Sequence, residues 1–580
     1  MGETGRMGGK GRTGGMACLA AILALTGCDR ARVDTQTARV DKLFAEWNKT
    51  DSPGCAVGIS RNGAIVHEHG YGMANLEWGI PVTADTVFPI ASITKSFTAM
   101  SVALAAEQGK LALDDEVQKY IPEWQDHADH ITIRHLLTHT SGVRDAFTMF
   151  GWGAHGDSAD PSESIARILA RQHGLNFTPG SEYQYNNGGY ALLAAIIKRA
   201  TGQSLHEYAD ANIFKPLGMS HSFFQHDLAM LIPHRASGYT RDANGWHAAR
   251  EYTVNVGPPA VGNAGMYSTV RDLIRWEQNF DDPRVGTPAM LAAMQTPITI
   301  AGQQASTHGL GFGLGEYRGQ PTVSGSGGDQ GIATEVARFP KQRFAVAVLC
   351  NEDNVVMGGM ARVNPDVFIN GIADIYLADL LRPADGAAKA APALTPVKVS
   401  EKELSAVTGL YRGVVPDRPL LFTINHGALM VRSHYGDDFD FELTPIGANR
   451  FVFQGGSTFD FIPPAPAQPK QWHVGQENDR NVFQAITFAP SAAEISAYVG
   501  EYRSDDLGVT FTLEQRDSRL VVKNVGFPDV TIVPFSNDEF VGDSVGIVKF
   551  SRDARGVVTG FTLNRLVARG VRFERMKKAG

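Results

Sequence analysis

Residues 90–97 read I-A-S-I-T-K-S-F, which places Ser92 three positions before Lys95 on an otherwise apolar stretch. Side chains three apart share one face of a helix. The pattern continues helically through Phe97, Met100 and Leu104, and Gly109 is a plausible stop. A buried amine is costly without a partner. A serine hydroxyl, for its part, is a weak nucleophile that needs a base within hydrogen-bond reach, and a lysine with a burial-depressed pKa can be that base. At a helix start the serine also gains free backbone N–H groups that can stabilise an oxyanion. Alone, the four residues fit a capping serine beside a solvated lysine better, so the reading depends on the surrounding chain.

Strand signals flank this region. CAVGIS, the turn Arg61-Asn62-Gly63 and AIVHEH read as a hairpin, and ATEVARF, PKQ and RFAVAVL (Ala333 to Leu349) as a second strand pair. Helical text lies between them: Leu192, Leu193, Ile196 and Ile197 stop near Gly202, and Thr269 to Asp272 opens another helix. The expectation is one antiparallel sheet, with strands from distant chain segments and helices packed on it.

Four stretches occur in order: PGCAVGISRNG to FPIASITKSFTA, ITIRHLLTHTSG (131–142), PGSEYQYNNGGYALLAAII (179–197) and GNAGMYSTVRDL (262–273). Together they resemble the serine β-lactamase and penicillin-binding-protein superfamily, in its class C β-lactamase, family VIII esterase and D-aminopeptidase branch. The resemblance runs from about residue 40 to about residue 380. It implies that Ser92 is the acylated nucleophile, Lys95 its base partner, and Tyr185 a proton relay to the leaving group. It implies further that Asn187 holds the substrate amide and that no metal or cofactor is needed. Tyr183 competes for the role of Tyr185, but the spacing to Pro179-Gly180 and Gly189-Tyr190 favours Tyr185.

One element departs from the family pattern. Where the family has Lys-Thr-Gly or His-x-Gly, VSGSGGDQG puts Gly325 in the cationic position, followed by Ser326, Gly327 and Gly328 as substrate-binding residues. The glycines let backbone approach a substrate, and Gly328 N–H is expected to complete an oxyanion hole with Ser92 N–H. The missing cation disfavours substrates that carry a carboxylate.

Other motifs carry less. Gly542-Asp543-Ser544-Val545-Gly546 fits G-x-S-x-G without a following helix, and His135 and His139 lack a third zinc ligand. With 53 basic against 61 acidic residues, net charge −8 and no long basic run, nucleic acid is disfavoured as a partner and none is expected.

Residues 1–28 read as a signal peptide with a lipobox. Arg6, Lys10 and Arg12 precede the apolar Ala17 to Leu25, and LTGC ends in Cys28, the expected lipid attachment. That implies an exported, periplasmic lipoprotein anchored to the bacterial membrane. Cys55 and Cys350 remain in apolar strand-like segments, and the sequence leaves open whether they pair.

Residues 29–382 form the expected catalytic domain, and 383–400, rich in Ala and Pro, a linker. Beyond it, LSAVTGLYR from Leu404 recurs as ISAYVGEYR from Ile495, 91 positions later. Two all-β modules, 401–490 and 491–580, are therefore expected, each suited to a closed barrel because closure removes strand edges. The fold class is α+β: a β-lactamase-like domain followed by two small antiparallel barrels. The D-aminopeptidase architecture is similar, and it implies a tail loop near the site and short D-amino-acid peptides or amides as small-molecule substrates. A carboxylesterase, a weak β-lactamase or a catalytically impaired envelope-binding protein are the alternatives.

Overall fold

The computed structural model describes residues 35–124, 130–242, 244–249, 261–301, 303–305, 307–352, 365–383, 396–414, 418–425, 427–433, 440–453, 457–466, 468–476, 479–517, 519–524 and 528–577. The signal peptide, Cys28 and most of the linker lie outside them. No helix among the described residues is long and apolar enough to cross a membrane.

The two sequence hairpins meet in one antiparallel sheet. Its strands are β1 (Cys55–Arg61), β2 (Ala64–Tyr71), β3 (Gly313–Tyr317), β4 (Gln320–Asp329), β5 (Ile332–Phe339) and β6 (Phe344–Cys350), in the order β3-β4-β5-β6-β1-β2. Strands β1 and β6, neighbours inside the sheet, are buried on both faces, which explains why CAVGIS and FAVAVLC are nearly all apolar. Alternate residues serve different cores. Val57, Ile59, Val346 and Val348 pack with Phe368, Ile369 and Ile372 of the helix Pro365–Tyr376. Ala56, Ala345, Ala347 and Leu349 face the helical side with the residues of α1 (Thr94–Glu107), α2 (Asn187–Thr201) and α3 (Val270–Gln278). A Cβ at Gly58 would sit 3.1 Å from Val270 Cβ, so glycine there lets α3 lie close on the sheet. Cys55 and Cys350 stand opposite each other in β1 and β6 and form a disulfide, which settles the question the sequence left open.

The tail folds into two closed eight-stranded barrels, as expected, the first spanning Gly409–Ala485 and the second Gly500–Arg575. The repeat is visible in detail. Each module opens with a short helix under a capping box, Ser400 with Glu403 and Ser491 with Glu494. Each then buries a tyrosine whose hydroxyl donates to the carbonyl four residues earlier, Tyr411 to Val407 and Tyr502 to Tyr498, both at 2.8 Å.

The barrels differ in what they touch. The first has its own core around Trp472. Residues of the second, from Ile495 to Phe573, are continuous with the core of the catalytic domain. Gly542 to Gly546 is a turn between two strands of this barrel, not a nucleophile elbow, and the Ser544 carbonyl accepts a hydrogen bond from Trp152 Nε1 at 2.7 Å.

Candidate active site

Ser92 does not lie on α1 itself. It sits in the 3₁₀ turn Ala91–Ile93 that leads into the helix. Three residues per turn bring positions i and i+3 directly over one another, and Lys95 Nζ lies 3.1 Å from Ser92 Oγ. The turn is held from three directions. Ala91 adopts a positive φ of 45°. Ile90 N–H donates to Met266 O at 3.0 Å, and Thr334 Oγ1 lies 3.1 Å from both Ile90 O and Gly327 O, which share its single proton. Strand β4 passes so near that a Cβ at Gly327 would stand 2.4 Å from Ile90 O and 2.9 Å from Ser92 N. Only glycine permits that approach.

Lys95 is 3% exposed, although it lies on the first turn of α1. Burial pulls its pKa down to about 7, against a smaller opposing effect of Asp145. Its other partners are Asn187 Oδ1 and Asn263 O, each at 2.8 Å. A neutral amine has two N–H hydrogens and one lone pair. The two acceptors use the hydrogens, and the lone pair is left for the Ser92 proton.

Tyr185 precedes α2, whose N-cap Asn186 accepts from Gly189 N–H at 2.7 Å and donates to Val143 O at 2.6 Å. The Tyr185 hydroxyl is 2.9 Å from Ser92 Oγ. The residue is 41% exposed, yet its surroundings exclude enough water to push its pKa up to about 12. At neutral pH it is protonated, and an amine whose pKa is about 7 can take up a proton beside it. The competitor Tyr183 instead stacks on His308, with ring centroids 4.5 Å apart.

The third element lies on β4. Gly325 opposes Val336 on β5, and a Cβ there would point at Ile93 Cγ1, 4.0 Å away. A family lysine or histidine at this position would therefore project beside the nucleophile turn. Ser326 and Gly328 are exposed on the same strand.

Sequence reasoning passed over Asn263 and Asp145, and weighed His139 only as a zinc ligand. Buried His139 accepts from Asn186 N–H through Nδ1 at 3.1 Å and lies 4.6 Å from the Tyr185 ring, so it positions the tyrosine loop. Burial, then Lys95, hold its pKa well below the usual value, which leaves it neutral. Asp145 caps the helix Ala146–Gly151 and accepts from Gly188 N–H at 2.9 Å, tying that turn to α2. All three lie inside or just after quoted stretches (HTSGVRD and GNAG), and their glycine-rich context was the available signal. His135 is remote from this role: its Nδ1 accepts from Thr132 N–H in a capping box.

The second barrel reaches this loop. The turn between its last two strands offers Leu566 O to Gln184 Nε2 at 2.6 Å, and Val567 O to Asn176 Nδ2 at 2.9 Å and to Asp145 N–H at 2.8 Å. Buried Arg144 donates to Arg569 O and Gly570 O and pairs with Asp506 at 2.9 Å.

Residues 39–363 match the family model described as Beta-lactamase. The chain belongs to this family. The matched residues contain Ser92, Lys95 and Tyr185. A D-aminopeptidase of Brucella anthropi is 30% identical over 48% of this chain, and the match spans about half (51%) of that relative's length. A D-aminopeptidase of Brucella canis is 26% identical over 90% of this chain and 96% of its own. The fold is also that of the octameric penicillin-binding protein homologue from Pyrococcus abyssi, at 24% identity with a TM-score of 0.52 over 77% of this chain and 99% of that one.

Proposed function

We propose that this protein is an exported serine hydrolase that cleaves short peptides or amides of D-amino acids through an acyl-enzyme. The observation that carries the reading is the triangle of Ser92, Lys95 and Tyr185 on a domain followed by two barrels, in a chain 26% identical over 90% of its length to one named D-aminopeptidase. Ser92 Oγ attacks the amide carbon as its proton passes to neutral Lys95. The Ser92 and Gly328 N–H groups receive the oxyanion. The proton reaches the leaving nitrogen through Tyr185, the C–N bond breaks and the amine departs. Water then attacks the ester, and the acid leaves with Ser92 restored.

The test uses protein without its first 28 residues. A fluorophosphonate will add its mass to the wild-type chain and not to Ser92→Ala. D-Alanine p-nitroanilide will be cleaved at least about tenfold faster than its L-enantiomer. Absence of any adduct from folded protein would instead favour an envelope-binding role. Cleavage of p-nitrophenyl esters with no D-anilide turnover would favour a carboxylesterase.

The N-terminal charge, apolar core and LTGC support a lipid anchor at Cys28 on a membrane-bound periplasmic protein. Labelling cells with a palmitate analogue tests it: wild type takes up label and Cys28→Ala does not.

A further inference from the structure

A cleft opens directly beside Ser92, walled by three segments that build the site. Ala91 precedes Ser92. Ala264 follows Asn263, whose carbonyl holds Lys95. Asp329 follows Gly328 at the end of β4. The rest of the wall is largely apolar, with Tyr267, Ile332 and Leu228. Tyr267 and Ile332 are buried, and the Tyr267 ring is stacked on Phe223 with centroids 5.6 Å apart, so this wall is preformed. Leu228 stands at the rim, 44% exposed.

The cleft serves one side of the bond to be cleaved. Tyr185 hands a proton to the leaving nitrogen, so the leaving group lies against the loop that carries Tyr185. None of the described residues lining the cleft comes from that loop or from the second barrel. The cleft continues instead from the oxyanion side, where Gly328 passes into Asp329, and so it faces the acyl part of the substrate. Its chemistry selects what enters. An apolar side chain that reaches Ile332 and Leu228 removes water from both partners. An acidic one meets apolar surface and a like charge, because Asp329 is the one charged side chain among the described residues that line the cleft.

This inference deepens the proposed function and rests on it for the side of the bond that the cleft serves. We infer that the cleft is the pocket for the side chain of the acyl residue, and that it prefers a bulky apolar D-residue, such as D-leucine, to D-alanine. Two residues set the preference. Leu228 supplies apolar contact at the rim, and Ala264, by its small size, keeps the entrance beside Asn263 open.

The experiment measures how the α-amides of D-alanine, D-leucine and D-glutamate slow fluorophosphonate labelling of Ser92, each variant being compared with its own unprotected rate. Hydrolysis of the D-alanine and D-leucine p-nitroanilides by the wild type is followed beside it. The half-protecting concentration of D-leucinamide will be at least about tenfold below that of D-alaninamide, the lower end of what a methylene is worth in an apolar pocket. The D-glutamate amide will protect no better than D-alaninamide. Ala264→Phe fills the entrance and will abolish or invert the leucine advantage. Leu228→Asp, at an exposed position that spares the fold, will shrink it roughly fourfold, the worth of about one buried CH₂ group, and keeps the test readable if Ala264→Phe misfolds. Equal protection by D-leucinamide and D-alaninamide would overturn the inference. So would a leucine advantage that survives Leu228→Asp, better protection by the D-glutamate amide, or no protection by any of the three. Hydrolysis of both anilides without a leucine advantage would remove the pocket and leave the proposed function standing. A leucine advantage that depends on Leu228, without hydrolysis of either anilide, would sink the proposed function and leave the pocket.

Discussion

Lys95 Nζ lies 3.1 Å from Ser92 Oγ, and its remaining donors are taken by Asn187 and Asn263. This is the arrangement of an amine that works without its third proton. Since burial lowers the Lys95 pKa to about 7, the amine is protonated and inactive as a base below that pH and free to accept the serine proton above it. Labelling of Ser92 by a fluorophosphonate will therefore rise with pH through an inflection near 7. Lys95→Met will lose at least about 10²-fold in labelling rate and the inflection with it. A flat profile for the wild type would remove Lys95 from the role of base.

Tyr185 does a different job. With its pKa pushed up to about 12, the phenol stays protonated and donates toward Ser92 at 2.9 Å. Tyr185→Phe keeps the ring and its 4.6 Å packing on His139 but removes the relay. Turnover of a D-alanine anilide will fall by about 10²–10⁴-fold, the span of general acid–base contributions. A p-nitrophenyl ester, whose leaving group needs no proton, will suffer much less. Equal losses on both substrates would mean that the hydroxyl orients Ser92 rather than passing a proton.

The pair Arg144–Asp506 joins the catalytic domain to the second barrel, with both side chains 5% exposed or less. Removing one member strands a buried charge, so Asp506→Ala will cost about 3–5 kcal/mol in unfolding free energy, read as a drop in Tm. Replacing both, Arg144→Met with Asp506→Leu, will restore much of that stability. Because the same barrel holds Gln184 and Asp145 by their hydrogen bonds to Leu566 and Val567, D-anilide turnover will fall in Asp506→Ala at temperatures where the chain is still folded.

Most of this architecture was legible in the sequence because local rules and the global fold agree. Asn62-Gly63 fixes one hairpin, the apolar runs of β1 and β6 report a sheet covered on both faces, and the 91-residue repeat reproduces its capping box and its tyrosine bond. The Ser92–Lys95 pair was legible because three-residue spacing is short-range geometry. Contacts across the chain were not. Asn263 reaches Lys95 by a backbone carbonyl, 168 residues away, which no side-chain pattern announces. The docking of Leu566 against Gln184 depends on how two domains pack. The disulfide was undecidable for the same reason, since only the register of β1 against β6 puts Cys55 opposite Cys350.

That disulfide closes a loop of 295 residues between strands already paired by hydrogen bonds. In the chain-entropy account its removal costs up to about 5 kcal/mol, through the freedom returned to the unfolded chain. The guanidinium midpoint will shift down on adding a reductant to wild type and will not shift for Cys55→Ala with Cys350→Ala. The Ser92 labelling rate will stay level under native conditions, because both sulfurs face the core around Phe368 and not the site.

Position 325 offers the most direct test of how one residue sets the charge of the site. Its φ lies outside the left-handed region, and a Cβ built there meets Val336 Cγ2 at 3.7 Å and Ile93 Cγ1 at 4.0 Å, ordinary contact distances. A larger side chain is therefore admitted without backbone strain. Gly325→Lys would place an ammonium beside the Ser92 turn, where the family's cation binds a substrate carboxylate. The gain expected from one such charge-assisted contact is about 1.5–3 kcal/mol, or at least about tenfold in the acylation rate by a penicillin. The same charge, close to Lys95, will also lower the Lys95 pKa further, because a second cation disfavours its protonated form. The inflection in the labelling profile will then move below 7. Faster penicillin acylation without that downward shift would mean that the new ammonium binds substrate at a distance from Lys95. A shift without faster acylation would place the penicillin carboxylate elsewhere in the cleft.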